Sequence, residues 1–386
     1  MRHAHCSLLL IAFLTTWLPA ADPDESGFQP LFNGKDLTGW VRTNTPPETW
    51  TFQDGMLICS GKPIGELRTQ RMYQNFIMEL EWRHMVPRGN AGVFIWADDI
   101  TSRGVPFHRG IEVQVLENAY GNTNSHTTHG DIFPIHGATM TPINGRGGSR
   151  AFPTEERSKA SPEWNHYRIT CQDGKVSLAV NGKVVTRGQD CSPRKGYICL
   201  ESEGGIVHYR NARIKELPNT PIDDADVAVA DRGYRSIYTG LDLSGWTREP
   251  AEGKAWRVND WILSHDVHEG DEETTLLTVE QFGDLGFVFD ARIKEEGASL
   301  KVRLRNTPLA SALIDTEAPE IAKHLERTGS WNRFEGTYSN NLLTLTVNGK
   351  EAYKGRSIER NAETGSISIS PKGPSDLANI YVRNLP

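Results

Sequence analysis

The segment His126-Thr-Thr-His-Gly-Asp-Ile-Phe-Pro-Ile-His136 places His126, His129, Asp131 and His136 within eleven residues. Neutral imidazoles and a carboxylate are ligands for a divalent metal ion and are also acid–base groups. No cofactor is required by this pattern, since a spacing such as His-Glu-x-x-His is missing from it. A divalent metal ion is the one cofactor it admits, with His126, His129, Asp131 and His136 as the candidate ligands. Gly130, Pro134 and Gly137 mark the segment as a loop, so the plainer alternative is that these side chains only satisfy loop backbone. His129 and Asp131 are the pair kept for chemistry, because they follow closely on a second polar group. In Gly110-Ile-Glu-Val-Gln-Val-Leu-Glu117, strand alternation turns Ile111, Val113 and Val115 to a core and sends Glu112 and Gln114 together to the opposite face. Glu117 falls where that strand should end, as a second acid or as a turn residue.

The elements that must position these groups read as strands. Phe76-Ile-Met-Glu-Leu-Glu-Trp-Arg83 alternates with period two, and Val176 to Val180 and Leu343 to Val347 each run into an Asn-Gly pair suited to a tight hairpin. Helical periodicity is confined to a turn or two around Glu317 to Leu325. A repeat organises the rest: Leu31-Phe-Asn-Gly-Lys-Asp-Leu-Thr-Gly-Trp40 returns as Ile237-Tyr-Thr-Gly-Leu-Asp-Leu-Ser-Gly-Trp246. The pair Trp164-Asn165 with Asn181-Gly182 likewise returns as Trp331-Asn332 with Asn348-Gly349. The expected fold class is therefore all-β: two β-sandwich domains in tandem, at 27–218 and 233–386, joined by a linker at 219–232. The second copy lacks the insert that carries Glu112 to His136 and is expected to be non-catalytic.

Composition narrows the partners. The 386 residues carry a net charge of −7, which offers no basic field for phosphates and argues against a nucleic-acid partner. Residues 1–21 read as a signal peptide, with Arg2 before the apolar run Leu8 to Leu14 and small residues at Pro19 to Ala21. That run is too short to span a bilayer, so export to the periplasm or medium without membrane insertion is expected. Cys59, Cys171, Cys191 and Cys199 would remain, as two disulfides of undetermined pairing or as buried free thiols.

Taken in order, Leu31 to Trp40, Trp50, Asp54-Gly55, Leu80 to Arg83, Asn90-Ala-Gly-Val-Phe94, Glu112-Val-Gln114, Trp164-Asn165 and Asn181-Gly182 closely resemble the bacterial 3-keto-disaccharide hydrolase family over roughly Gly27 to Leu217. The resemblance implies concanavalin A-like jelly-roll sandwiches and a carbohydrate substrate whose sugar carries a ketone at C3. Such a ketone acidifies the C2 proton, so one base and one oxyanion stabiliser suffice for elimination of the C1 substituent, and water then adds back. On this reading Glu112, Gln114, Glu117, His129 and Asp131 form the catalytic set, with Glu112 as base. Trp96, sharing a strand face with Phe94, would stack on the sugar ring, with Asn90, Arg83, His108 and His136 as further substrate contacts. Trp40, Trp50, Trp82 and Trp164 are expected in the core. The alternative is a non-catalytic, lectin-like sandwich, since fold alone does not settle function.

Overall fold

In a computed structural model, residues 26–266, 273–307, 311–359 and 362–386 are described; the expected signal peptide at 1–21 lies outside them. The protein is almost wholly antiparallel β, with one short α-helix, Pro319–Ala322, and three single 3-10 turns among the described residues. Strands drawn from Gln29 to Glu216 form two sheets. The nine-stranded one runs in the order Thr139–Pro142, Lys183–Ser192, Lys175–Val180, Asn165–Gln172, Phe76–His84, Val207–Glu216, Met56–Cys59, Trp50–Gln53, with Gln29–Pro30 added beside Val207–Glu216. The six-stranded one runs Trp40–Thr43, Gly65–Thr69, Tyr197–Ser202, Asn90–Ala97, Gly110–Leu116, Ile132–Ile135. Their facing sides close over one core, in which Met78, Leu80, Trp82 and Tyr167 of the first sheet meet Leu67, Val93, Ile111, Val113 and Leu200 of the second. Alternation is what makes this work: each strand gives every second residue to the core and leaves the intervening ones for the outer face.

Strands from Arg235 to Asn384 form a second sandwich with its own core, including Trp256, Phe289, Phe334, Leu345 and Ile369. Its strand order repeats the first half's: contrary to expectation the Glu112 strand Gly110–Leu116 has a counterpart, Ala312–Asp315, and among the described residues only Ile132–Ile135 and Thr139–Pro142 have none. The recurring motifs make equivalent contacts. Trp40 Nε1 donates to Leu31 O at 2.8 Å and Trp246 Nε1 to Ile237 O at 2.9 Å. Asn181 donates to Asn165 Oδ1 at 3.0 Å, as Asn348 does to Asn332 Oδ1 at 2.8 Å. The Trp-Asn and Asn-Gly motifs recur because the two asparagines lock a hairpin turn to the neighbouring strand, the turn residue adopting a φ of 49° or 53° that asparagine tolerates. The linker is packed in part: Asp231 pairs with the buried Arg68 at 3.0 Å and Ala228 is buried.

Two aromatic expectations need correction. Trp96 lies in the core, fully buried, with Nε1 donating to Gln74 O at 2.9 Å. Its φ of +55° and the register shift between Tyr197↔Ala97 and Cys199↔Phe94 rotate it off the face that simple alternation assigns. It is no platform for a sugar. Trp164, expected in the core, is instead half-buried on the outer face of the nine-stranded sheet, between the guanidinium groups of Arg83 at 4.5 Å and Arg210 at 4.0 Å. Trp40, Trp50 and Trp82 are buried, and all four cysteines are buried free thiols.

Candidate active site

The outer face of the six-stranded sheet is acidic where such a face would ordinarily be mixed. Glu201 is the direct cross-strand partner of Glu66, Gly92 lies on the next strand, and Glu112 on the one after. A Cβ built at Gly92 would stand 2.8 Å from Glu112 Oε1 and 3.0 Å from Glu201 Oε2, so the two carboxyl groups close over a position that only glycine leaves open. Glu66, Glu112 and Glu201 are all buried, and Glu203 is half-buried just past the strand end. Glu66 Oε1 and Glu201 Oε2 have no hydrogen-bond partner among the described residues.

Several buried carboxyls at close quarters cannot all ionise. Burial, reinforced by the charge of Glu203, holds Glu112 well above the usual carboxylate range, and Arg150 opposes this. Burial and then the neighbouring Glu112 and Glu203 push Glu201 up likewise. Glu203 is raised to about 7, mainly by burial, with hydrogen bonds from Glu201 and Asn90 restraining the rise. The cluster therefore contains neutral carboxyls as proton donors beside one group that titrates near neutrality.

Gln114 and Asn90 place Glu203. Gln114 Nε2 donates to Asn90 Oδ1 at 2.9 Å, which fixes the Asn90 amide so that its NH2 points at Glu203 Oε2. On the other flank, Phe133 is the cross-strand partner of Glu112, and the Arg150 guanidinium lies 3.4 Å from the Phe133 ring centre. Asp131 holds that arginine: it is fully buried, accepts from Arg150 Nη1 at 3.0 Å and from Thr127 N at 2.9 Å, and also binds the Thr127 hydroxyl. Asp131 is thus an anchor for the cation nearest Glu112.

The remaining candidates divide. His108 belongs to the acidic face, where both its backbone N–H, at 3.0 Å, and its Nδ1 bond Glu66 Oε2. His136 is exposed and stacks on Phe107 at 6.4 Å, beside Phe94 on the same face of the sheet. His129 is engaged by loop side chains, with Nδ1 2.9 Å from Ser158 Oγ and Nε2 3.2 Å from Asn122 Nδ2; burial lowers its pKa despite Glu156 and Asp131 nearby. Glu117 is a loop staple. It accepts from the backbone N–H groups of Arg88 at 2.7 Å, Ala119 at 2.8 Å and Ser161 at 2.9 Å. Although burial alone would raise it, these donors together bring it below the usual range, so it is no proton donor at neutral pH. Arg83 sits on the opposite sheet, paired with His208 at 3.2 Å, and is removed from the site.

The candidate metal ligands do not converge either. His126 bonds Thr123 Oγ1 at 3.0 Å, and His129, Asp131 and His136 have the separate partners given above. Among the described residues, the group with ligand atoms within 4.8 Å of one another is Glu66, His108 and Cys199. There the carboxylate and imidazole already bond each other, and burial holds the thiol in its protonated form. An open cleft of about 560 Å3 lies elsewhere, lined by Phe28, Glu79, Glu81, His166 and Arg213 on the outer face of the nine-stranded sheet. Its acids are already paired, Glu79 with Arg168 and Arg213, and Glu81 with Arg210.

Glu66, Glu201, Glu203, Gly92 and Arg150 were not among the sequence candidates. Leu200-Glu-Ser-Glu-Gly-Gly205 does carry a signal, two acids flanking a serine at the end of a strand, but only the sheet order shows that this strand lies between those of Glu66 and Gly92.

Residues 27–215 match the model of the 3-keto-alpha-glucoside-1,2-lyase-like domain family. The matched segment holds every member of the acidic cluster and supports a carbohydrate-active function. Among solved structures the chain is similar to a proposed glycosyl hydrolase from Parabacteroides distasonis, at 22% identity over 52% of this chain and 99% of that one, with a TM-score of 0.40. A Bacillus licheniformis beta-glucanase matches at 14% identity over 49% and 97%, with a TM-score of 0.33. The carbohydrate-binding module CBM66 of Bacillus subtilis matches at 11% identity over 46% and 95%, with a TM-score of 0.34. No curated protein matches the chain.

Proposed function

We propose that the protein is an exported enzyme that cleaves 3-keto-glucosides by elimination followed by hydration, at the acidic face of its lyase-like domain. The observation that carries this reading is the convergence of Glu112 and Glu201 over Gly92, with Glu203 titrating near neutrality beside them. Groups whose environments set their protonation apart are the usual signature of acid and base in one site. Ionised Glu203 removes the C2 proton, and the electron pair moves to the C3 oxygen. A neutral carboxyl of the Glu112–Glu201 pair donates to that oxygen, and Arg150 supplies positive charge nearby. The enolate then expels the C1 substituent, which leaves as the alcohol with a proton from the site, and water adds its oxygen at C1 and its proton at C2. The base role expected for Glu112 passes to Glu203, because a carboxyl held neutral by burial cannot accept a proton. A sugar-binding sandwich without catalysis would have no use for several buried acids.

We propose further that the second sandwich is a copy that has lost this chemistry. Aligning the sheets on their core pairs Leu200↔Val93 and Ile369↔Val302 puts Thr275, Lys301, Leu313 and Ser370 where Glu66, Gly92, Glu112 and Glu201 stand. Lys301 alone would fill the space over the glycine. The test is incubation of the full chain with a disaccharide and its 3-keto derivative, with and without chelator, followed by NMR. Consumption of the 3-keto sugar alone is expected, and equal cleavage of the parent disaccharide, or of neither, would overturn the proposal. The chelator arm reports whether a cation takes part.

A further inference from the structure

The strands that carry Gly92 and Glu112 are joined by residues 98–109, which continue their ladder as a narrow hairpin: Asp98 N donates to Arg109 O at 3.1 Å, Thr101 bridges His108, and Ser102 N donates to Phe107 O at 2.8 Å. The tip of this hairpin is seated on the second sandwich. Gly104 N donates to Asp290 Oδ2 at 2.8 Å, and Asn379 Nδ2 reaches Ser102 O and Val105 O, each at 2.9 Å, as well as Asp290 Oδ2 at 2.7 Å. Arg333 Nη2 donates to Thr101 O at 2.8 Å, and Thr101 Oγ1 lies 2.8 Å from the Tyr381 hydroxyl. The socket is built for the purpose: Asp290, Asn379 and Tyr381 are all buried, and Arg333 neutralises Asp290 through two 2.8 Å bonds. Gly104 fits against Trp331 so closely that a Cβ there would lie 2.3 Å from its ring. Ile100 completes the joint in a small apolar cluster with Tyr234, Val288 and Tyr381.

The hairpin returns to the acidic face through His108, whose backbone N–H and ring both bond Glu66, the direct cross-strand partner of Glu201. We infer that the second sandwich serves the reaction as a positioning device: Asp290 and Asn379 fix the hairpin, and the hairpin fixes His108 and Glu66 beside the Glu112–Glu201 pair. This rests on the acidic face being the active site. A hairpin bound at its base alone would move by ångströms at its tip, and misplacement of about 1 Å can cost roughly 100-fold in rate.

Asn379→Gly in the full chain is the test, because it removes the amide while keeping the backbone at its φ of 52°. Two readouts are taken: kcat and KM on a 3-keto glucoside, and the imidazole N–H proton of His108 in 15N-histidine-labelled protein, assigned by its loss in His108→Gln. The expected result is a kcat lower by roughly 10- to 100-fold with KM changed little, and a shifted or broadened His108 signal. Arg103→Ala, which removes only the exposed contact to Asn348, should leave both unchanged. An Asn379→Gly protein with wild-type kcat and an unmoved His108 signal would overturn the inference. Should that variant not fold, Tyr381→Phe, which deletes only the hydroxyl facing Thr101, is read in the same way. If the wild type does not turn over 3-keto glucosides, the imidazole signal still decides the coupling on its own.

Discussion

Replacing Glu203 by Gln separates its ionisation from its shape. Its carboxyl rises from an ordinary 4.5 to about 7, and each unit of such a shift corresponds to about 1.4 kcal/mol. A group whose folded pKa lies above its unfolded one contributes stability that is complete below the unfolded pKa and is lost as pH rises through the folded one. Wild-type protein should therefore lose about 3 kcal/mol on this account between pH 4.5 and pH 8. Glu203→Gln has no proton to lose there, and its amide oxygen can still accept from Asn90. Urea unfolding of both proteins, followed by tryptophan fluorescence at pH 4.5, 6 and 8, should show the variant gaining on the wild type across the window by that amount. Turnover on a 3-keto glucoside should behave oppositely: the wild-type rate rises through pH 7 as Glu203 ionises, and the variant loses roughly 100- to 10,000-fold at every pH. Stability curves that stay parallel from pH 4.5 to 8 would mean that burial does not raise the Glu203 carboxyl, and a variant with wild-type turnover would remove Glu203 as base.

Gly92→Ala should cut turnover by about 100-fold while circular dichroism stays native, because the new methyl must displace Glu112 and Glu201; near-normal kinetics would mean the pair does not act together. Arg150→Met removes the charge that opposes protonation of Glu112. The alkaline limb of the pH–rate profile, where the donor is lost, should therefore move upward, and an unmoved limb would detach Arg150 from the site. Glu117→Gln weakens acceptance from three backbone donors and should cost about 1–3 kcal/mol of stability with kcat nearly intact. A collapse of kcat at unchanged stability would restore Glu117 as an acid.

Strand periodicity made the scaffold legible. The alternation read in Phe76 to Arg83 is the observed strand Phe76–His84, with Met78, Leu80 and Trp82 in the core, and Glu112 and Gln114 do share the face opposite Val113. Local rules failed where the backbone departs from regularity, as at Trp96, whose positive φ and adjoining register shift reverse its direction. They failed too where partners are remote in the chain. Nothing around Glu117 shows that Arg88 and Ser161 will cap it, and Glu66 and Glu201 become neighbours only through strand pairing. The hydrophobic pattern fixes which face a side chain takes; which acids then meet on that face depends on sheet order, carried by loops and crossovers that have no periodic signal.

Removal of the C2 proton of a 3-keto glucoside by the acidic face can be followed with a deuterium label at C2. Slower turnover is expected for the C2-deuterated substrate under single-turnover conditions, together with solvent-derived hydrogen at C2 of the product. Equal rates for the two substrates, with the C2 label retained in the product, would contradict it.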